Sequence, residues 1–421
     1  MPQAYKYQKE FVNSMGGCDI ILDVLIKQGI LPFIDKKLGK RNNRAEYSYS
    51  EGIIMWFLAL CSGATRLEHV YNHKDRFKRN PRFNKFISPD TLLYMFKELS
   101  EENWEYHKGT YYKSKNVDVA NHQVNFNRKL NNLLIDTALK LGLIKKGVKY
   151  VLEYDTTILE NKIKDSRVHY KNNGKKGYSP ALAVINNIPL IVENRNGDTN
   201  PAFNVFETVK TMIEDLAKKG IEVGVTRIDG VGYNKELIEY LNQNGIKFFT
   251  RARIEKVRDL SMDIFKWQEE IIVKDKMQVA DIQFKFGTSN TRMIIYKPNN
   301  ETQLGIATND FDMSNKEAIL FYRQRGDTEN VFKYLKGDFG WDIMPMRDIR
   351  HNTVYLCIQA LCFQIYTYLI RRFSGVVNFV RNNMRLPTFI NEFMKVPTMW
   401  QGIELVFLTI DKDYTGLAGF T

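Results

Sequence analysis

From Lys149 to Arg251, short apolar runs of strand length alternate with amphipathic stretches of helix length, and no other feature restricts the fold as much. KYVLEYD reads as a buried strand ending at Asp155. ALAVINNIPLIVENRNG reads as two strands joined by a tight turn at Asn186 and Asn187. Pro189 then falls near the start of its strand, where a missing donor is tolerated. A helix from about Asn204 to Lys219, a strand Glu222 to Asp229, a helix Lys235 to Gln243 and a strand Ile246 to Arg251 follow. The order β-β-β-α-β-α-β pairs the first strands as a meander and returns the later ones through crossover helices. The expected fold class is therefore α/β, a mixed sheet with flanking helices.

Asp155 ends the first strand of this series and Asp229 the fourth. If those strands are neighbours, about 4.8 Å apart, the two carboxylates come close together. An aspartate at a strand end also serves as a turn former or cap, so neither residue alone decides the chemistry. A third acid comes from Ser314 to Gly337, which reads as one long helix opened by a capping box of Ser314 and Glu317. At 100° per residue, Tyr322, Arg325, Glu329 and Lys336 fall within about 60° of one another, beside an apolar face of Leu320, Phe321, Val331, Phe332 and Leu335. Gly326 inside the helix costs roughly 1 kcal/mol against alanine, which suggests the close approach of another backbone. A carboxylate flanked by two cations and a phenol suits a metal-bound phosphodiester. Asp155, Asp229 and Glu329, in the order strand, strand, helix, could hold two Mg²⁺ ions, with Mn²⁺ able to substitute. His169, in the basic segment KDSRVHYKNNGKKGY, is expected to be incidental.

The chain has 421 residues, enough for two or three domains, and ordinary shares of hydrophobic (44%) and charged (26%) residues. Its net charge of +13 and pI near 9.3 point to a polyanionic partner, nucleic acid first, with ribosome or anionic membrane contact as the alternative. Residues 1–145 read as a helical, basic, DNA-binding domain. Ser50 is placed as the cap of a helix through Cys61, Ser88 with Pro89 as the cap of another, and His122 to Leu141 as a third helix. Two basic runs, Lys36 to Arg44 and residues 74–85 with Phe77 and Phe83 interleaved, support DNA contact, although a single such run is usually a solvated loop. Residues 254–313 interrupt the α/β pattern with the alternation of DIQFKFG and the apolar run RMIIY, a β-strand insertion subdomain with Trp267 on its approach. The catalytic core is thus split into 146–253 and 314–373, and 374–421 reads as shorter helical pieces. Thr353 to Arg372 is read as a buried core helix. Cys18, Cys61, Cys357 and Cys362 form no CxxC pair, so reduced thiols are expected in a cytosolic protein without a structural metal. The N-terminus lacks an apolar signal segment and no membrane partner is expected.

The helix fits the pattern Y-x2-R-x3-E-x6-K with Tyr322, Arg325, Glu329 and Lys336 in register. DTT at Asp155, RIDG at Asp229 and RGDTENVFKYLKGDFGW resemble the acidic motifs of the DDE transposases of bacterial insertion sequences. The resemblance covers roughly residues 145–340. It implies an RNase H-like core that nicks DNA at transposon ends and joins the 3′-hydroxyls to target DNA, with a hairpin step in relatives carrying this signature. It further implies phosphate contacts by Tyr322, Arg325 and Lys336, stacking of an aromatic, here Trp267, on a flipped base, a homodimer on paired ends, and a cytoplasmic, nucleoid-associated bacterial protein. Two other readings remain open: an RNase H-like nuclease without strand transfer, and a non-catalytic DNA-binding protein derived from a transposase.

Overall fold

The computed structural model describes residues 11–102, 104–106, 122–170, 174–252, 266–298, 303–408 and 413–417. The first ten residues, which contain most of the segment read for a signal, lie outside them, as do 171–173 of the basic segment after Asp165, residue 253 and 254–265 of the insertion. The chain forms two compact units, one from Met1–Ser100, Tyr334–Met346 and Val354–Thr421, the other from Glu101–Lys333 and Arg347–Thr353.

The first unit opens with helices α1 (Gly17–Lys27), α2 (Ile30–Leu38), α3 (Tyr49–Leu60), α4 (Lys74–Arg79) and α5 (Pro89–Glu98). The cap of α3 is Ser48 and not Ser50. The Ser48 hydroxyl accepts the Glu51 amide while the Glu51 carboxylate accepts the Ser48 amide, a complete capping box. Ser50 instead donates to Asp35 at 2.7 Å and ties α2 to α3. Helix α5 starts as expected, with Ser88 accepting the Thr91 amide and Pro89 in the first turn.

The second unit is built on an eleven-stranded sheet. Its first strands are β1 (Trp104–Tyr106) and β2 (His122–Asn125), followed by α6 (Arg128–Lys140). His122 was expected to begin a helix. It begins a strand because Asn127 caps α6 by accepting the Leu130 amide, and because β2 has an edge to join, pairing Val124 with Arg195. Next come β3 (Lys149–Thr156), a small three-stranded sheet of β4 (Leu159–Glu160), β5 (Arg167–Val168) and β6 (Lys176–Tyr178), and the hairpin of β7 (Ala181–Ile185) and β8 (Ile188–Arg195). Asn186 and Asn187 both have positive φ, 52° and 63°, which the two-residue hairpin turn demands and asparagine tolerates. Then follow α7 (Val205–Lys218), β9 (Glu222–Ile228), α8 (Lys235–Gln243) and β10 (Lys247–Arg251). The order β8-β7-β3-β9-β10, with the first three antiparallel and β9 and β10 parallel to β3, is an RNase H-like core.

The insertion supplies β11 (Gln268–Ile272), β12 (Asp275–Phe286), β13 (Ser289–Pro298) and β14 (Leu304–Thr308). These extend the central sheet, because β14 pairs antiparallel with β10. The expected single helix from Ser314 to Gly337 is two helices, α9 (Asn315–Arg323) and α10 (Gly326–Gly337), separated at Gln324 and Arg325. The Ser314–Glu317 capping box is present. Close approach does not explain Gly326, since a Cβ there would meet nothing within 4 Å; it sits where the second helix restarts. Helix α9 roofs a cluster of Phe249, Ile272, Val279, Ile294 and Ile306 through its own Ala318 and Ile319.

Helix α11 (Ile349–Phe373) is long and apolar enough to cross a membrane, but most of it is buried in the protein. Beyond it lie α12 (Leu386–Phe389), a π-turn to Met394, and a hairpin of β15 (Thr398–Gln401) and β16 (Glu404–Phe407) where only helical pieces were expected. Gly402, at φ 62°, supplies the turn. All four cysteines are buried free thiols.

Candidate active site

Strands β3, β9 and β10 run parallel, so their carboxyl ends share one edge of the sheet, the edge where such sheets bind ligands. Tyr154 pairs with Ile228 across β3 and β9, so the next residues, Asp155 and Asp229, leave adjacent strands side by side. Each also performs the local task expected of a strand-end aspartate. Asp155 accepts the Thr156 amide at 2.8 Å, and Asp229 accepts the Val231 amide at 3.0 Å, capping the turn Gly230–Gly232. The turn is tight: a Cβ on Gly232 would lie 2.8 Å from the Ile228 side chain and 2.9 Å from the Thr250 hydroxyl. That hydroxyl in turn donates to the Asp229 carbonyl at 2.6 Å.

Arg325 occupies the break between α9 and α10. Its guanidinium donates to Asp155 Oδ2 at 3.0 Å and to Glu329 Oε1 at 3.1 Å, so it bridges the first and third acids. The Asp155 side chain is 16% exposed and that of Glu329 55%. Burial raises the Asp155 carboxyl to about 6, and the charge of Asp229 adds to the rise while Arg325 opposes it. Tyr322, on the last turn of α9, is pushed up to about 12, chiefly by burial, and remains a protonated donor at neutral pH. It feels the charges of Arg325, Asp229 and Arg251.

Among the described residues, no three His, Cys, Asp or Glu side chains stand together as a ready-made ion cage. The donor set nevertheless fits a hard divalent cation. Asp155, at a burial that disfavours its charge, stands beside the second carboxylate of Asp229, and a cationic guanidinium spans the space toward the third. The site therefore calls for positive charge, which Arg325 provides in this arrangement.

A family model described as Transposase DDE domain group 1 matches residues 117–378, well over half of the chain. The chain belongs to that transposase family. Among solved structures, the cryo-EM structure of the piggyBac transposase synaptic complex with hairpin DNA aligns over 89% of this chain and 77% of that one, at 11% identity and a TM-score of 0.40. No curated protein matches the chain.

Of the site residues expected in this transposase, Asp155, Asp229, Tyr322, Arg325 and Glu329 surround one edge of the second unit. Lys336 lies on α10 within the part of the chain assigned to the first unit. Trp267 precedes the edge strand β11, with the Lys297 ammonium 4.4 Å over its ring, and four strands separate β11 from β9. His169 is buried, its ring against Tyr170 at 4.2 Å. Sequence reasoning passed over Arg251, the last residue of β10, whose charge reaches Tyr322. It also passed over Tyr170, whose phenol is raised by burial and by the charge of Asp229. The available signal for Arg251 was its place at the end of a third parallel strand. For Tyr170 there was none.

Proposed function

We propose that this transposase belongs to a bacterial insertion sequence of the Y-x2-R-x3-E-x6-K group, works in the cytoplasm at the nucleoid, cleaves the ends of its element and joins the 3′-hydroxyls to target DNA. The observation carrying this reading is the pair of adjacent carboxylates at the strand ends, linked through Arg325 to the third acid, in a chain of a DDE family. Asp155, Asp229 and Glu329 would hold two divalent ions, Mg²⁺ or Mn²⁺. When bound, such ions acidify an attacking water or 3′-hydroxyl and neutralise charge on the leaving oxygen.

The chain's own residues divide the remaining work. Arg325 exchanges its carboxylate partners for phosphate oxygens, a swap between two charge-assisted pairings of similar kind. Tyr322 donates its retained proton to a phosphate oxygen, and Lys336 and Arg251 add cationic contacts along the strand. Trp267 stacks on a base drawn out of the duplex. The basic region 1–145 grips double-stranded DNA and two copies hold paired ends. Several cations of its basic runs already have partners inside that region, such as Arg41 with Glu98 and Arg79 over the Phe11 ring, which orders them in advance. The test is a strand-transfer assay with pre-cleaved ends of the element flanking the gene. Joined product in Mg²⁺ supports the proposal. Cleavage without joining would favour a nuclease, and neither activity a DNA-binding derivative.

A further inference from the structure

Two residues before each aspartate, and on the same face of its strand, lies a charged group that the chemistry above does not use: Glu153 on β3 and Arg227 on β9. They are register partners, both more than nine-tenths buried, and the Arg227 Nε donates to Glu153 Oε1 at 2.8 Å. The guanidinium continues past that pair to the helix break. Its Nη1 donates to the Phe321 carbonyl at 2.7 Å and to Gln324 Oε1 at 3.1 Å, and its Cζ lies 4.8 Å from the Phe321 ring centre.

The Phe321 carbonyl is the acceptor that a continuous α-helix would give to the Arg325 amide. Here the Arg325 amide turns to Tyr322 O at 3.0 Å, one residue closer. A second arginine of the sheet, Arg292 on β13, holds the other end of α9 by donating to Met313 O and to Asn315 Oδ1. The short helix is thus fixed at entry and exit by two sheet arginines, and its exit lies against the strand that carries Asp229.

We infer that Arg227 is a positioning residue: it holds the break between α9 and α10, and so sets where Arg325 and Glu329 stand relative to Asp155 and Asp229. This rests on the proposed reading of the three acids as the metal site. A buried guanidinium shared between a carboxylate and a helix-end carbonyl suits the task, because its rigid fork fixes both partners in one geometry, which the single rotatable ammonium of a lysine does not.

The test compares the full-length parent with Arg227→Lys, which keeps a charge beside Glu153, and with Glu153→Gln, which keeps the contact to Phe321. Amide hydrogen exchange without DNA or metal reads the break directly. In Arg227→Lys, exchange over residues 324–328 should change by roughly tenfold or more, slower if the helix heals and faster if it frays, with β3 and β9 unchanged. In Glu153→Gln those amides should exchange as in the parent. Mn²⁺ titration of the same proteins should show affinity falling roughly tenfold or more in Arg227→Lys. Parent-like exchange at 324–328 in Arg227→Lys would overturn the inference, and so would altered exchange with parental Mn²⁺ affinity. A parent that binds no Mn²⁺ would instead sink the metal-site reading, and the exchange data would still decide whether Arg227 holds the break.

Discussion

The two halves of the central sheet are built to different rules. In β7 and β8 every residue is buried, as in a strand covered on both faces, whereas β12 alternates, with Asp281, Gln283 and Lys285 exposed between partly buried Ile282 and Phe284. The inner half can therefore hold charges only where they are paired or functional, and it holds Glu153, Arg227, Asp155 and Asp229. The outer half is a half-solvated platform whose covered face supports α9. The two aspartates are anchored in the inner half, and the helix that leads into Arg325 and Glu329 rests on the other.

If that division is correct, the largest effect belongs to the inner strand ends. Asp229→Asn should lower DNA cleavage by roughly 10²–10³-fold, as expected for removing one electrostatic element of a transition state. Trp267→Ala, beside the outer edge strand, should cost far less in cleavage; equal losses in a gel assay would erase the contrast. For stability, Leu182→Ala in β7 should cost about 3 kcal/mol by chemical denaturation. Phe284→Ala in β12, half-buried, should cost about 1 kcal/mol.

The raised Asp155 carboxyl gives a third contrast. Its folded value, about 6, exceeds the usual 3.8, so the folded state binds the extra proton between those values and ionisation costs stability above them. Asp155→Asn should therefore be more stable than the parent above pH 6, by up to roughly 3 kcal/mol, and lose that advantage as the pH falls below 4. A gain independent of pH would mean that the carboxylate is not strained by burial. The smallest effect concerns the helix break: Arg325→Ala should weaken binding to cleaved ends and reduce the slope of log K against log salt by about 0.9, one phosphate contact.

Much of the inner half was legible because strand periodicity and turn chemistry are local. The turn at Asn186 and Asn187, the strand ends at Asp155 and Asp229 and the helix Lys235–Gln243 all follow from adjacent residues. What escaped depends on partners far away in sequence. Nothing between Ser314 and Gly337 shows that an arginine 94 residues earlier takes the Phe321 carbonyl, so one helix was expected where there are two. The same holds for His122, drawn into a strand by the edge of β8, and for the Ser48 cap, whose competitor Ser50 is engaged by Asp35. One signal was available and missed: a glutamate and an arginine in the middle of apolar strands, each two residues before a site aspartate, already marked a buried pair.

The central claim is that Asp229 ligates a catalytic metal ion beside Asp155. Replacing it by cysteine tests this directly, since a thiolate is a poor ligand for Mg²⁺ and a better one for softer Mn²⁺. Asp229→Cys should fail to cleave the element's end in Mg²⁺ and regain cleavage in Mn²⁺. Equal loss in both metals, or undiminished cleavage in Mg²⁺, would contradict the claim.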